Sequence, residues 1–240
     1  MLRETTRRVL TTALAQESPG GLPGWRDRSG SAEVRFLGRG EQGVRESDVA
    51  WLGRNRPQAW MRQVHGAKVL AGRSGECGEG DALATSTRGL ALSVVTADCV
   101  PVLLAADDRV AAVHAGWRGF VGGVVAAALA EFADAGAVVA WIGPAIGACC
   151  YEVGEEVAAP VAARSSAVVR LPGRRGRPHI DLPLAVEIEL ARLGVGEVRR
   201  LAVCTACHPE TLESYRRDGA AAGRNRSFIW LREGFGTQDD

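Results

Sequence analysis

The hydrophobic positions of this chain change period along its length. Ala32 to Leu37 and Ala59 to Gln63 read as short strands. In the centre, Gly89 to Val95, Val100 to Ala106 and Val110 to His114 are nearly unbroken apolar, β-branched or alanine runs, separated by Thr96-Ala97-Asp98 and Asp107-Asp108-Arg109. Such runs suit strands covered on both faces. The alanine-rich stretch from Phe120 to Asp134 predicts one helix closed by Gly136, and Val138 to Ile142 reads as a further strand. Gly154 to Ala163 and Leu182 to Leu193 have helical composition, the second with Asp181 as N-cap, Pro183 in its first turn and Gly194 just past its end. Arg199 to Cys204 and Ser227 to Leu231 predict strands on either side of a short helix at Pro209 to Tyr215. Ser18 to Ser31, rich in Gly, Pro, Ser and Arg, reads as a loop after a short N-terminal helix, and Gly72 to Gly80 is too glycine-rich for regular structure. Strands and helices that mix without strict alternation predict an α/β (α+β) class, a single-domain layered sandwich of mixed β-sheets flanked by helices. Residues 1–31 are expected to be a flexible N-terminal lead-in and 32–240 the folded domain.

Composition narrows the partners. A chain of 240 residues with 46% hydrophobic side chains can bury a large core. Its 29 basic and 28 acidic residues nearly cancel, so no strong field draws it to nucleic acid or anionic lipid, and a small molecule is the expected partner. The long Ala/Val run, Val121 to Ala130, is far short of a membrane span and is followed by Glu131 and Asp134. Arg3, Arg7 and Arg8 precede no continuous apolar segment, which argues against a secretory signal and for a cytoplasmic protein, monomeric or a small homo-oligomer. Six cysteines are too few for a disulfide scaffold and are expected as thiols, ligands or core fillers.

Two of the four histidines stand where a strand ends in a glycine-containing turn: Gln63-Val64-His65-Gly66 and Val113-His114-Ala115-Gly116. Cys99 lies in a third such place, Thr96-Ala97-Asp98-Cys99-Val100-Pro101. Strand ends hold a side chain at the sheet rim, where it can meet a ligand. Two imidazoles and one thiolate would suit zinc and leave a coordination position open. On the residues alone, two hydrogen-bonded histidines and a core cysteine are the plainer reading.

Several blocks go further. Arg62-Gln63-Val64-His65-Gly66, Gly80-Asp81-Ala82-Leu83, Thr96 to Pro101, Val113 to Gly119, Ile142 to Gly147, Cys150-Tyr151-Glu152-Val153 and Ser214 to Gly219 resemble, in chain order, the signature blocks of the YfiH or laccase-domain family. The likeness runs from about Val34 to Leu231 and makes 32–240 a YfiH-like catalytic domain. It implies a four-layer α/β fold with one zinc ion, Zn2+, held by His65, Cys99 and His114. It also implies phosphorolysis of adenosine, inosine or methylthioadenosine to free base and ribose 1-phosphate, with adenosine deaminase activity beside it. Phosphate then needs cations, for which Arg39, Arg62, Arg118, Arg216 and Arg217 are the candidates, Arg217 foremost. Asp98 is placed for proton transfer or for orienting a ligand, with Asp81 and Glu152 weaker candidates that a turn and a helix start would explain.

Members of the family were first described as multicopper polyphenol oxidases, so a copper (Cu2+) laccase is an alternative, although four histidines are few for several copper centres. A third reading is a catalytically weakened metal-binding protein linked to cell-wall precursor editing. It is motivated by the segment between Phe36 and His65, which is shorter than the family's and keeps only Phe36 to Gly40 and Asn55-Arg56 of its pattern. Cys204-Thr205-Ala206-Cys207-His208 matches a haem-attachment pattern, which the absence of an export signal argues against. Cys149 and Cys150 are adjacent, and both pointing into one metal site would need an unusual backbone, so core packing or pocket lining is expected for them.

Overall fold

A computed structural model describes residues 6–10, 24–39, 56–173 and 176–233. The strands are β1 Thr6–Leu10, β2 Gly24–Ser29, β3 Ala32–Leu37, β4 Gln58–Arg62, β5 Val69–Ala71, β6 Gly75–Glu79, β7 Ala82–Thr85, β8 Ala91–Thr96, β9 Val100–Ala105, β10 Val110–Ala115, β11 Val139–Ile142, β12 Arg170–Leu171, β13 His179–Ile180, β14 Glu197–Leu201 and β15 Asn225–Leu231. The α-helices are α1 Trp117–Val121, α2 Val124–Leu129, α3 Glu155–Arg164, α4 Leu182–Arg192 and α5 Tyr215–Asp218. One mixed sheet runs β1-β14-β11-β9-β10-β7-β5 and a second runs β2-β3-β15-β8-β4-β6, with a small β12-β13 pair beside them.

The central runs are unbroken because both of their faces are covered. In β9, Val100, Val102 and Leu104 point to a cluster shared with Phe120 of α1, Val125 of α2, Val161 of α3 and Leu190 of α4. Leu103 and Ala105 point the other way, to Val34, Phe36, Leu92, Val94, Ile229 and Leu231 of the second sheet. Strand alternation therefore builds two cores from one run. Each fully buried Leu, Ile or Phe in them contributes about 1.5–3 kcal/mol. The described residues form helices over the seven-stranded sheet, which packs on the six-stranded sheet.

Four local expectations are corrected. The single helix over Phe120 to Asp134 is two short ones, because Gly123 takes φ 90° between α1 and α2, a backbone that only glycine adopts without strain. The glycine-rich Gly72 to Gly80 segment contains β6, which pairs in parallel with β4. The short helix expected at Pro209 to Tyr215 forms one step later, as α5. Within the expected lead-in, Thr6–Leu10 is a strand paired with β14 rather than a helix, and Gly24–Ser29 is β2 rather than loop. Trp25 is buried, and Asp27 accepts hydrogen bonds from Trp141 Nε1 (2.9 Å) and Arg199 Nη1 (2.8 Å) of the other sheet. Residues 1–5 and 11–23 of that lead-in lie outside the described residues.

The capping expectation holds: Asp181 accepts from the Leu184 amide at 2.8 Å and starts α4. Among the described residues no helix is long and apolar enough to cross a membrane.

Candidate active site

Sheet register assembles the site. In β10, His114 follows Ala112 and so faces the second sheet; it pairs with Pro101, which puts Cys99, just before β9, beside it. On its other side β10 pairs with β7 so that Val113 meets Ala82, bringing Asp81 level with His114, whose amide donates to the Asp81 carbonyl at 2.8 Å. His65 lies three residues beyond β4 of the second sheet. The ligating atoms of His65, Cys99 and His114 all fall within 4.8 Å of one another, with Cys99 Sγ 3.9 Å from His65 Nε2 and the imidazole rings edge-on at 4.8 Å. Gly116 leaves no alternative at its position, since a Cβ there would meet His65 Cδ2 at 2.8 Å and Cys99 Sγ at 3.2 Å.

Asp81 holds this arrangement together, a larger part than the ordinary turn residue that its Gly-Asp context suggested. Its carboxylate is fully buried, and it accepts from His114 Nδ1 (2.8 Å), from the His65 and Gly66 amides (2.9 and 2.7 Å) and from the Val64 amide (3.3 Å). An Nδ1–H donated to Asp81 leaves Nε2 of His114 as the free ring nitrogen, which fixes the tautomer as an outer carboxylate does for metal-binding histidines. Among the described residues, the only non-glycine ones with positive φ are His65 (60°) and Asp98 (94°), both in this site. Such conformations cost of order 1–3 kcal/mol and persist only where surrounding bonds enforce them. The amide bonds to Asp81 do so for His65. For Asp98 the carboxylate itself does so, accepting from Thr205 Oγ1 and the Arg216 amide, each at 2.6 Å.

The electrostatics follow from these contacts. Burial opposes a charge on Cys99, but hydrogen bonds from His114 and His65 outweigh it and bring the thiol down to about 7. Burial likewise opposes a charge on His114, yet Asp81 and Cys99 raise it to about 9. Burial would raise Asp81, and the bonds from His114, Gly66 and His65 keep it below the usual carboxylate range. A thiolate within reach of two imidazoles, one locked by a carboxylate, is a donor set that fits a zinc ion and leaves a coordination position open.

The trio opens into a pocket of about 550 Å³ lined also by Gln63, Asp98, Tyr151, Tyr215, Arg216 and Arg224, a size typical of small-molecule sites. Met61, Gln63 and Val95 are shared with an adjoining pocket of about 580 Å³ that reaches Trp60, Arg56 and Arg226. Gln63 braces the boundary by a two-way bond with the Val95 backbone, at 2.8 and 2.9 Å. Burial pushes the Tyr151 hydroxyl up to about 12, so it stays protonated.

Of the five arginines singled out from sequence, Arg216 lines the pocket; it stacks on Tyr151 at 5.3 Å and donates to the Cys150 and Glu152 carbonyls. The other four are engaged elsewhere. Arg217 donates to Asp218 and to the Thr205, Ala206 and Leu212 carbonyls. Arg39 pairs with Glu213 and Asp218, Arg62 with Glu79, and Arg118 lies over Trp117. Sequence reasoning did not single out Tyr151, Tyr215, Gln63 and Arg224 as pocket residues, because their side chains meet only through pairing of distant strands. The shortened segment noted before His65 lies largely outside the described residues.

A family model described as multi-copper polyphenol oxidoreductase laccase matches residues 44–232. The chain belongs to that family. Within this laccase-domain family, the chain is 45% identical over 183 residues to a purine nucleoside phosphorylase of Streptomyces coelicolor (72% of this chain, 74% of that one). It is 39% identical over 178 residues to the purine nucleoside phosphorylase YfiH of Escherichia coli (72% and 73%). Among solved structures, a Neisseria meningitidis protein superposes with TM-score 0.78 at 28% identity (88% of this chain, 99% of that one). YlmD from Geobacillus stearothermophilus superposes with TM-score 0.73 at 26% identity (88% and 92%). The expected mixed α/β layered architecture and the family resemblance are thereby borne out.

Proposed function

We propose that this protein is a zinc-dependent purine nucleoside phosphorylase whose metal ion is held by His65, Cys99 and His114. The observation that carries the reading is the convergence of those three side chains at a pocket, in a chain so similar to relatives named for that activity. When bound there, zinc supplies a Lewis acid with a vacant position.

The chain's own groups account for the rest. Phosphorolysis breaks the bond from the ribose anomeric carbon to the purine nitrogen and makes one to a phosphate oxygen, while the base leaves with the bonding electrons and takes up a proton. Positive charge develops on the ribose, so the phosphate has to be held close by fixed cations. Arg216, pre-set by Tyr151 and two carbonyls, does this with Arg224. Arg217 and Asp98 act as positioning residues: Arg217 ties α5 to the Thr205 loop, and Asp98 holds the Arg216 amide and the Thr205 hydroxyl. The same pocket admits adenosine deamination, in which water replaces the purine amine and ammonia leaves.

Incubating zinc-loaded protein with adenosine and phosphate is expected to release adenine and ribose 1-phosphate, and inosine is expected without phosphate if deamination also occurs. No base released from adenosine, inosine or methylthioadenosine would overturn the reading. The family's description, together with a His-Cys-His donor set that also suits copper, favours phenol oxidation as the second reading. Copper-loaded protein that oxidises a phenol with dioxygen while zinc-loaded protein leaves nucleosides intact would establish that alternative.

A further inference from the structure

A second group of potential ligands lies outside this pocket. Cys149 and Cys150 stand on the turn after β11, Cys204 and Cys207 on the turns after β14, and their four sulfurs all lie within 4.8 Å of one another. The adjacency of Cys149 and Cys150, expected from sequence to keep them from sharing a site, does not do so here. The chain turns back between them, with the Gly147 carbonyl accepting from the amides of both Cys150 and Tyr151 at 3.0 Å.

The sulfur spacing distinguishes two chemistries. Cys207 Sγ lies 3.4 Å from Cys150 Sγ and 3.6 Å from Cys149 Sγ. A disulfide would need about 2.05 Å. The edge of a tetrahedron of sulfurs around zinc, at a Zn–S distance of about 2.3 Å, is about 3.8 Å. Cys204-x-x-Cys207 has the close spacing of a metal-binding turn. The Gly147 amide donates to Cys204 Sγ at 3.2 Å, the kind of bond that stabilises sulfur carrying negative charge. Gly147 is also closely packed against the group, since a Cβ would meet Cys204 Cβ at 3.2 Å and Cys149 Sγ at 3.3 Å, tighter than most such contacts.

We infer that Cys149, Cys150, Cys204 and Cys207 form a closed, structural tetrathiolate site for zinc, separate from the His65–Cys99–His114 centre. Four thiolates fill the tetrahedron, so the ion has no vacant position, and sulfur-only coordination selects zinc over harder cations. Its part is to clasp two loops that make the pocket wall. One carries Tyr151 and the carbonyls gripping Arg216; the other carries Thr205, which binds Asp98, and the carbonyls gripping Arg217. The loops are otherwise joined there by the short Ala145–Cys204 bridge.

The test separates the two metal sites. A Cys99→Ala/His114→Ala double variant, purified without chelator, is expected to retain one zinc per chain, and adding Cys207→Ser should take that to none. Cobalt(II) added to the metal-free double variant should give sulfur-to-metal charge transfer and the intense visible bands of a tetrahedral thiolate complex. The four thiols should resist alkylation until the metal is removed. Should the variants not fold, zinc-edge X-ray absorption on the wild-type protein reads the same question: a sulfur majority around zinc supports the site and a nitrogen majority overturns it. No metal in the double variant, no cobalt–sulfur bands, or disulfides among these four cysteines would likewise overturn it. None of these readouts depends on nucleoside turnover, so failure here and failure of the proposed activity are distinguishable.

Discussion

Replacing Cys99 by alanine is expected to abolish nucleoside phosphorolysis and to weaken zinc binding at the His65–Cys99–His114 centre by roughly a hundred- to a thousandfold. Structural zinc sites gain about 10–16 kcal/mol from four ligands, so one ligand accounts for about 2.5–4 kcal/mol. Two imidazoles would remain, with no thiolate to offset the ion's charge. Wild-type affinity should also depend on pH in two steps, because each ligand must give up its proton. Between about 9 and about 7 the proton to be displaced sits on His114, whose pKa is raised; below about 7 Cys99 holds one too. Affinity should therefore fall about tenfold per unit on going from pH 9 to 7 and about a hundredfold per unit below that. Competition titration against a chelator of known affinity, on protein whose four-cysteine site is already filled, measures both effects. A Cys99→Ala variant that binds zinc and turns over nucleoside like wild type would remove Cys99 from the site.

The second large effect belongs to Asp81. Its replacement by alanine strands the buried His114 ring N–H and removes the acceptor of the Val64, His65 and Gly66 amides. It also releases the bonds that enforce the positive φ of His65. Leaving one partner of a buried, hydrogen-bonded pair alone costs about 3–5 kcal/mol. In a chain of this length that corresponds to a melting temperature lower by roughly 6–20 °C. Asp81→Asn should be milder in stability, yet its amide cannot accept at both positions and no longer imposes the His114 tautomer, so zinc affinity should drop about 10–100-fold. Thermal melting with and without zinc reads the pair of variants. An Asp81→Ala protein that melts within a degree or two of wild type would show that His65 and His114 are held by something else.

Where sequence and structure agree, the reason is local. The caps of α4, the length of the central strands and the strand-end positions of His65, Cys99 and His114 are all written within a few residues. The trio itself was ambiguous on residue chemistry alone and became specific through the blocks around it, whose spacing matches a family in chain order. What the sequence concealed depends on register. Asp81 sits in a Gly-Asp context that a turn explains; its four donors come from residues 15 to 33 positions away, once β7 lies against β10. Arg217 looked better suited to phosphate than Arg216, but neighbouring helix positions point apart, and here one turns to the pocket while the other is consumed by carbonyls. Cys149 and Cys150 meet Cys204 and Cys207 because β11 and β14 are parallel neighbours that end side by side. The break at Gly122-Gly123 was visible as composition and was outweighed by the alanines around it.

The account turns on a single ion shared by His65, Cys99 and His114. Anomalous scattering measured on either side of the zinc edge, from crystals of protein purified without chelator, tests that most directly. The expected result is a zinc peak bonded to Cys99 Sγ, to His114 Nε2 and to a ring nitrogen of His65, with a further position free on the pocket side. Zinc-loaded crystals with no anomalous peak among these three side chains would contradict it.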